Sequence, residues 1–238
     1  MAGITGYIHR WTEHLLSMVY PHICEVCGGS LAEGEEMLCL ECDYSMPRCN
    51  IHNQPFNIIH QRLASHIPLE RAAGYFHYYR ANRYTRLIHA AKYQGRPRIA
   101  RILARNFARE ILPDGFFQGI DMIIPVPLHR SRQLRRGYNQ SLFIARGIND
   151  ITAIPIAGNL VATLPHSTQT RSNAYSRWLN SRHIYSCTDA SDLHGRHILI
   201  VDDVITTGAT LLACCEAIHK VAPTAKISIL TLAVATLG

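Results

Sequence analysis

The spacing of apolar positions changes along this chain, and the changes mark its elements. Short apolar runs at Ala73–Tyr79, Asp121–Val126, Ile156–Ala162, His197–Val201 and Ile227–Ala235 predict strands; Tyr75, Tyr78 and Tyr79 favour the first of them. Between them, apolar residues recur every three or four positions and predict helices. One starts at Asn82, carries Leu87, Ile88 and Ala91 on one face and ends near Gly95. The next opens at Pro97 and carries Ile99, Ile102, Leu103, Phe107 and Ile111. A third covers Gln140–Asp150 with Asn139 as its N-cap, a short one covers Asn173–Ser181, and a last one covers Leu211–Val221. Strand and helix alternation from residue 71 to 238 predicts an α/β domain on a mainly parallel sheet flanked by helices.

The rest of the chain breaks this rhythm. Ile8, Trp11, Leu15, Leu16 and Val19 have helical spacing but are interrupted by His9, Arg10, Glu13 and His14, which predicts an amphipathic helix and not a leader peptide. Ile51–Glu70, with Pro55 and Pro68 and no period, reads as a linker between residues 1–50 and the α/β domain. His129–Gln140 holds four arginines and a glycine with almost no apolar content. It reads as an exposed, mobile loop, either a flap that binds anions or a basic loop with no ligand. Leu164–Asn173 is polar and reads as a second loop over the same sheet edge.

Composition narrows the function classes. The 238 residues are 47% hydrophobic and 17% charged, an ordinary globular balance, with room for one main domain and a small appendage. No apolar run is long enough to span a membrane. Of 24 basic residues only Lys92, Lys220 and Lys226 are lysines. A bias to arginine suits phosphates or nucleic acid, although charge alone does not separate that from a solvated basic surface. Arg98, Arg101, Arg105 and Arg109 recur along one helix face and read as a solvated stripe in preference to a polyanion contact.

Two stretches carry chemistry. After the apolar run His197–Val201 come Asp202 and Asp203, then Thr206-Thr207-Gly208-Ala209-Thr210, then a helix. A turn opening a helix offers unpaired N–H groups and a favourable dipole to a phosphate. The threonine hydroxyls add donors, and ionised carboxylates accept from vicinal sugar hydroxyls. Phosphate and diol side by side describe a ribose 5-phosphate; an acid pair followed by a threonine N-cap, a phospho-acceptor or a metal site are the alternatives. The second stretch is Cys24-Glu25-Val26-Cys27 and Cys39-Leu40-Glu41-Cys42, two C-x2-C knuckles eleven residues apart. Four thiolates so placed suit one structural zinc, with a disulfide or a redox pair as weaker readings. Cys49 stands apart and reads as a buried hydrophobe. With no export signal the cysteines point to a reducing cytoplasm.

The Asp202–Thr210 stretch resembles the phosphoribosyl-diphosphate (PRPP) loop of type I phosphoribosyltransferases. Taken with the zinc ribbon, Lys92-Tyr93-Gln94-Gly95, Val126-Pro127-Leu128, Arg136-Gly137-Tyr138-Asn139-Gln140 and Thr168-Gln169-Thr170, the chain is similar to the ComF (competence protein F, GntX-type) family. That resemblance implies a type I phosphoribosyltransferase-like parallel sheet with a small N-terminal zinc ribbon. It implies PRPP bound with Mg²⁺, and pentosyl transfer to an unidentified nitrogen acceptor. Asp202 and Asp203 would hold the ribose, and Thr206, Thr207, Gly208, Ala209 and Thr210 the 5-phosphate. Lys92, Arg130 and Arg136 are the catalytic-side candidates for the pyrophosphate. The family's link to DNA uptake adds single-stranded DNA and other DNA-uptake proteins as candidate partners. No base-gripping hood is recognisable, so a non-catalytic PRPP sensor or a DNA-handling accessory stands as the alternative.

Overall fold

A computed structural model describes residues 22–63, 67–79, 82–163 and 184–236. The expected helix at Gly6–Tyr20, the polar loop at Leu164–Asn173 with Thr168-Gln169-Thr170, and the helix at Asn173–Ser181 lie outside the described residues. The chain forms two units, Met1–Met46 and Pro47–Gly238. In the smaller, a turn at Cys24–Gly29 precedes the short helix α1 (Leu40–Tyr44).

In chain order the larger unit contains α2 (Ile58–Leu63), β1 (Arg71–Tyr78), α3 (Thr85–Tyr93), α4 (Arg98–Ile111), β2 (Met122–Pro125), α5 (Arg130–Arg136) and α6 (Gln140–Thr152). It continues with β3 (Leu160–Ala162), β4 (Tyr185–Cys187), β5 (His197–Ile205), α7 (Ala209–Val221) and β6 (Lys226–Ala235). Four strands form one sheet in the order β1-β6-β5-β2, every pair parallel. Ile198, Leu199, Ile200 and Val201 have no exposure at all, as expected of a parallel strand covered on both faces. The apolar stripe of α4 is buried, and α4 meets α6 so closely at Gly147 that a Cβ there would collide with the Arg101 carbonyl oxygen. The parallel sheet and flanking helices follow the apolar pattern.

Five local expectations change. The segment Ile51–Glu70, read as a linker, contains α2, and its Ile51, Ile59, Leu63 and Ile67 are buried in the core. Two prolines hide the helix, which is too short to show a period. The Arg-rich stretch 129–140 is a helix in its middle, not a loop. His129 Nδ1 accepts from the Ser131 N–H, and Gly137 ends α5 in the left-handed conformation. Arginine is a good helix former, and the caps replace the missing apolar face. The strand at Ile156–Ala162 shrinks to β3, which pairs antiparallel with β4, while Ile156 makes a single bridge to Ile123. The arginine stripe is only partly solvated: Arg101 forms a two-pronged pair with Asp150 of α6, at 2.8 and 2.7 Å. Lastly β5 does not stop before the acid pair but runs through it to Ile205.

Candidate functional site

The carboxyl ends of β1, β2 and β5 open on one cleft of about 320 Å³. Tyr78 closes β1, Val126, Pro127 and Leu128 follow β2, and Asp202, Asp203 and Val204 belong to β5. This edge is where ligands bind in open parallel sheets. The cleft is also lined by Lys92 and Tyr93 from α3, Arg132 and Arg136 from α5, and Gln140 and Ser141 from the start of α6.

The acids sit in unequal surroundings. Asp202 Oδ1 accepts from Ser141 Oγ at 3.0 Å and from the Asp203 N–H at 2.9 Å. Burial, with the neighbouring Asp203 charge, pushes the Asp202 carboxyl up to about 7, against the pull of Lys92 and these hydrogen bonds. Asp203 Oδ1 lies 2.9 Å from Lys92 Nζ, the two side chains only 13% and 23% exposed. Burial opposes the Lys92 charge, but Asp203 and then Asp202 outweigh it and raise its pKa. The acid pair therefore already holds one fixed cation.

Behind the pair the chain turns through Thr206, Thr207 and Gly208 into α7. Gly208 is the N-cap of this 13-residue helix, with φ +86°, and an added Cβ would meet Leu63 Cδ2 at 2.9 Å. The left-handed conformation favours glycine, and any side chain there would have to displace the end of Leu63. Residues Val204–Leu211 enclose a recess of about 30 Å³. Thr206 and Thr210 face the cleft as well as the recess, whereas Thr207, Gly208 and Ala209 line the recess alone.

Of the three expected pyrophosphate residues, Lys92 lies on Asp203, and Arg136 lines the cleft with its guanidinium 5.2 Å above the Tyr93 ring. Arg130 is exposed at the start of α5 and does not line the cleft. Arg132 does line it: it and Arg136 are one helical turn apart, so they share a face. Had the stretch been recognised as helical, that spacing would have pointed to Arg132. Ser141 and Tyr185 are further members that no local signal marks; burial raises the Tyr185 phenol.

In the smaller unit the Cys24, Cys27, Cys39 and Cys42 sulfurs all lie within 4.8 Å of one another. The Cys27 and Cys39 sulfurs are 3.8 Å apart. A tetrahedral zinc with Zn–S near 2.3 Å places its sulfurs about 3.8 Å apart, so the donors and their spacing fit a structural zinc. This distance excludes a disulfide, and every described cysteine is a free thiol. Burial works against ionising Cys24, but the Cys27, Cys39 and Val26 backbone groups outweigh it and draw the thiol down to about 6. Burial and then the neighbouring thiols push Cys42 well up. Cys49 is buried as expected, and its thiol is pushed up to about 12 by burial. Among the described residues no helix is long and apolar enough to cross a membrane.

Comparison with known proteins agrees with this geometry. The phosphoribosyl transferase domain model matches residues 97–236. The DNA utilization protein YhgH of Escherichia coli O6:H1 is 32% identical over 199 residues, 79% of this chain and 80% of that protein. Competence protein F of Haemophilus influenzae is 36% identical over 102 residues, 42% of this chain and 44% of that protein, so this match spans less than half its length. Competence protein ComFC of Bacillus subtilis is 23% identical over 220 residues, 91% of this chain and 80% of that protein. With its parallel sheet, its acid pair above a threonine-glycine turn and its N-terminal four-cysteine cluster, the chain belongs to the competence protein F and YhgH family of phosphoribosyl transferase-domain proteins.

Proposed function

We propose that this chain binds PRPP in the cleft at the carboxyl edge of its sheet and serves DNA utilization as a phosphoribosyltransferase-like protein. One observation carries the reading. A small recess at a helix N-terminus adjoins a carboxylate pair, and two arginines line the same cleft. The turn residues Thr206–Thr210 take the 5-phosphate, Asp202 and Asp203 the ribose hydroxyls, and Arg132 and Arg136 the pyrophosphate. Mg²⁺ would accompany PRPP and there supply neutralising charge for the pyrophosphate. If transfer occurs, a nitrogen nucleophile displaces pyrophosphate at C1, and the protein's part is to position the sugar, neutralise the leaving group and exclude water. The four cysteines hold a structural zinc. Free thiols throughout the described residues support a reducing, cytoplasmic location.

Titration calorimetry with PRPP and Mg²⁺ tests the site, and heat at one-to-one stoichiometry is expected. Pyrophosphate release against a panel of bases, amines and oligonucleotides separates a transferase from a sensor that binds PRPP and goes no further. A chain that takes up no PRPP at millimolar concentration sinks the reading.

A second reading rests on α5. That helix has no buried residue and carries Arg130, Arg132, Arg135 and Arg136. Weak, sequence-independent binding of single-stranded DNA is expected there, with an affinity slope against log salt of about −0.7 per phosphate contact. Anisotropy of a labelled oligonucleotide measures it. Competition by PRPP is expected through Arg132 and Arg136. Binding indifferent to PRPP places the DNA elsewhere, and no binding at low salt removes this reading.

A further inference from the structure

The threonine-glycine turn is held from behind by a residue outside the motif. Arg62, on α2, donates from Nη1 to the carbonyl oxygens of Ile205 at 3.2 Å and Thr206 at 2.8 Å. Its Nη2 donates to the Ala235 carbonyl oxygen at 2.6 Å. One guanidinium therefore ties the end of β5, the first residue of the turn and the end of β6. Such a fork needs a fixed base, and α2 supplies one. Asn57, 2% exposed, caps α2 by accepting from the Ile59 N–H at 3.0 Å. The same side chain donates to the Ile51 and Ala72 carbonyls at 2.9 and 2.8 Å. Leu63, next to Arg62, fills the space that a side chain at position 208 would need.

A trans peptide sets C=O and N–H in opposite directions. Drawing the Ile205 and Thr206 carbonyls toward Arg62 turns the N–H groups of Thr206 and Thr207 away from it. The residues that carry those N–H groups line the recess. The guanidinium also leaves a fixed positive charge behind the turn, where it attracts an anion in front. Its charge stays in place while the arginines of α5 serve the far side of the cleft.

We propose that Arg62 is the positioning residue of the 5-phosphate cradle: it orients the turn's amides and backs them with a cation, without touching the ligand. This rests on the PRPP reading above and extends it to α2, a segment that lies outside every motif. Arg62→Gln loses charge and fork, whereas Arg62→Lys keeps the charge with a single point donor. Ribose 5-phosphate and inorganic pyrophosphate are titrated into wild type and both variants, with hydrogen exchange followed at residues 205–209. Arg62→Gln is expected to bind ribose 5-phosphate about tenfold more weakly or worse, with pyrophosphate within twofold and faster exchange across the turn. Arg62→Lys should fall between it and wild type; should Arg62→Gln fail to fold, a Lys variant matching wild type in both affinity and exchange overturns the proposal. Unchanged ribose 5-phosphate affinity in a folded Arg62→Gln protein overturns it while leaving the PRPP reading intact. A wild type that binds neither ribose 5-phosphate nor PRPP overturns both.

Discussion

Replacing Asp202 and Asp203 together by alanine is expected to lower PRPP affinity at least about 100-fold in calorimetry with Mg²⁺. Each carboxylate offers one charge-assisted hydrogen bond to a ribose hydroxyl, at roughly 1.5–3 kcal/mol. The double change also leaves Lys92 without its partner at 2.9 Å. Unchanged affinity removes the ribose assignment. The single change Asp202→Asn separates function from stability. Asparagine can keep the bonds from Ser141 Oγ and the Asp203 N–H to its own Oδ1, but not the charge. Asp202 titrates at about 7 when folded against an ordinary 3.8. The folded chain thus holds a proton that the unfolded chain has released, and stability falls as pH rises from about 4 through about 7. At pH 8 Asp202→Asn is therefore expected to stabilise the free protein while weakening PRPP binding. At pH 4 the variant and wild type should melt alike. Denaturant melts at the two pH values check this, and a variant less stable at pH 8 refutes the account of burial and repulsion.

The parts of this molecule that were legible in its sequence are those in which neighbours in the chain act together. The strand, acid pair, turn and helix from His197 to Val221 are contiguous, so their pattern alone sets out the acid pair at the strand's end and the turn into the helix. The cysteine knuckles repeat at a spacing that suits one shared metal ion, and the four sulfurs do come together. The cleft's opposite wall was not legible in the same way. Arg132 and Arg136 face the cleft because α5 is a helix, and its caps, not an apolar stripe, make it one. Ser141 reaches Asp202 across 61 residues of chain. Arg62 reaches Thr206 across 144 and Ala235 across 173. Contacts of that kind belong to the sheet's strand order, in which β6, last in sequence, lies between β1 and β5. No periodicity encodes such an order.

Removing metal from the full chain is expected to unfold the Cys24–Cys42 region while the larger unit keeps its structure. Apart from its cysteines, the described part of the smaller unit buries only Val26, Met37, Leu38 and Met46 among its hydrophobic side chains. So small a core does not offset the conformational entropy of ordering the chain around it. The missing stabilisation is expected to come from a bound zinc ion. Structural zinc in small domains supplies about 10–16 kcal/mol near neutral pH, and that binding energy is folding energy. The thiols also conflict when close together: Cys24 is drawn toward ionisation, while burial and then its neighbours push Cys42 away from it. A divalent cation at the centre lets all four ionise. Elemental analysis of protein purified without added metal should give one zinc per chain, and Cys42→Ser should abolish it. After chelation, limited proteolysis should cut within residues 22–46, and the Pro47–Gly238 unit should resist and melt as before. A metal-free protein with four reactive thiols and a protease-resistant N-terminal unit would overturn the zinc assignment.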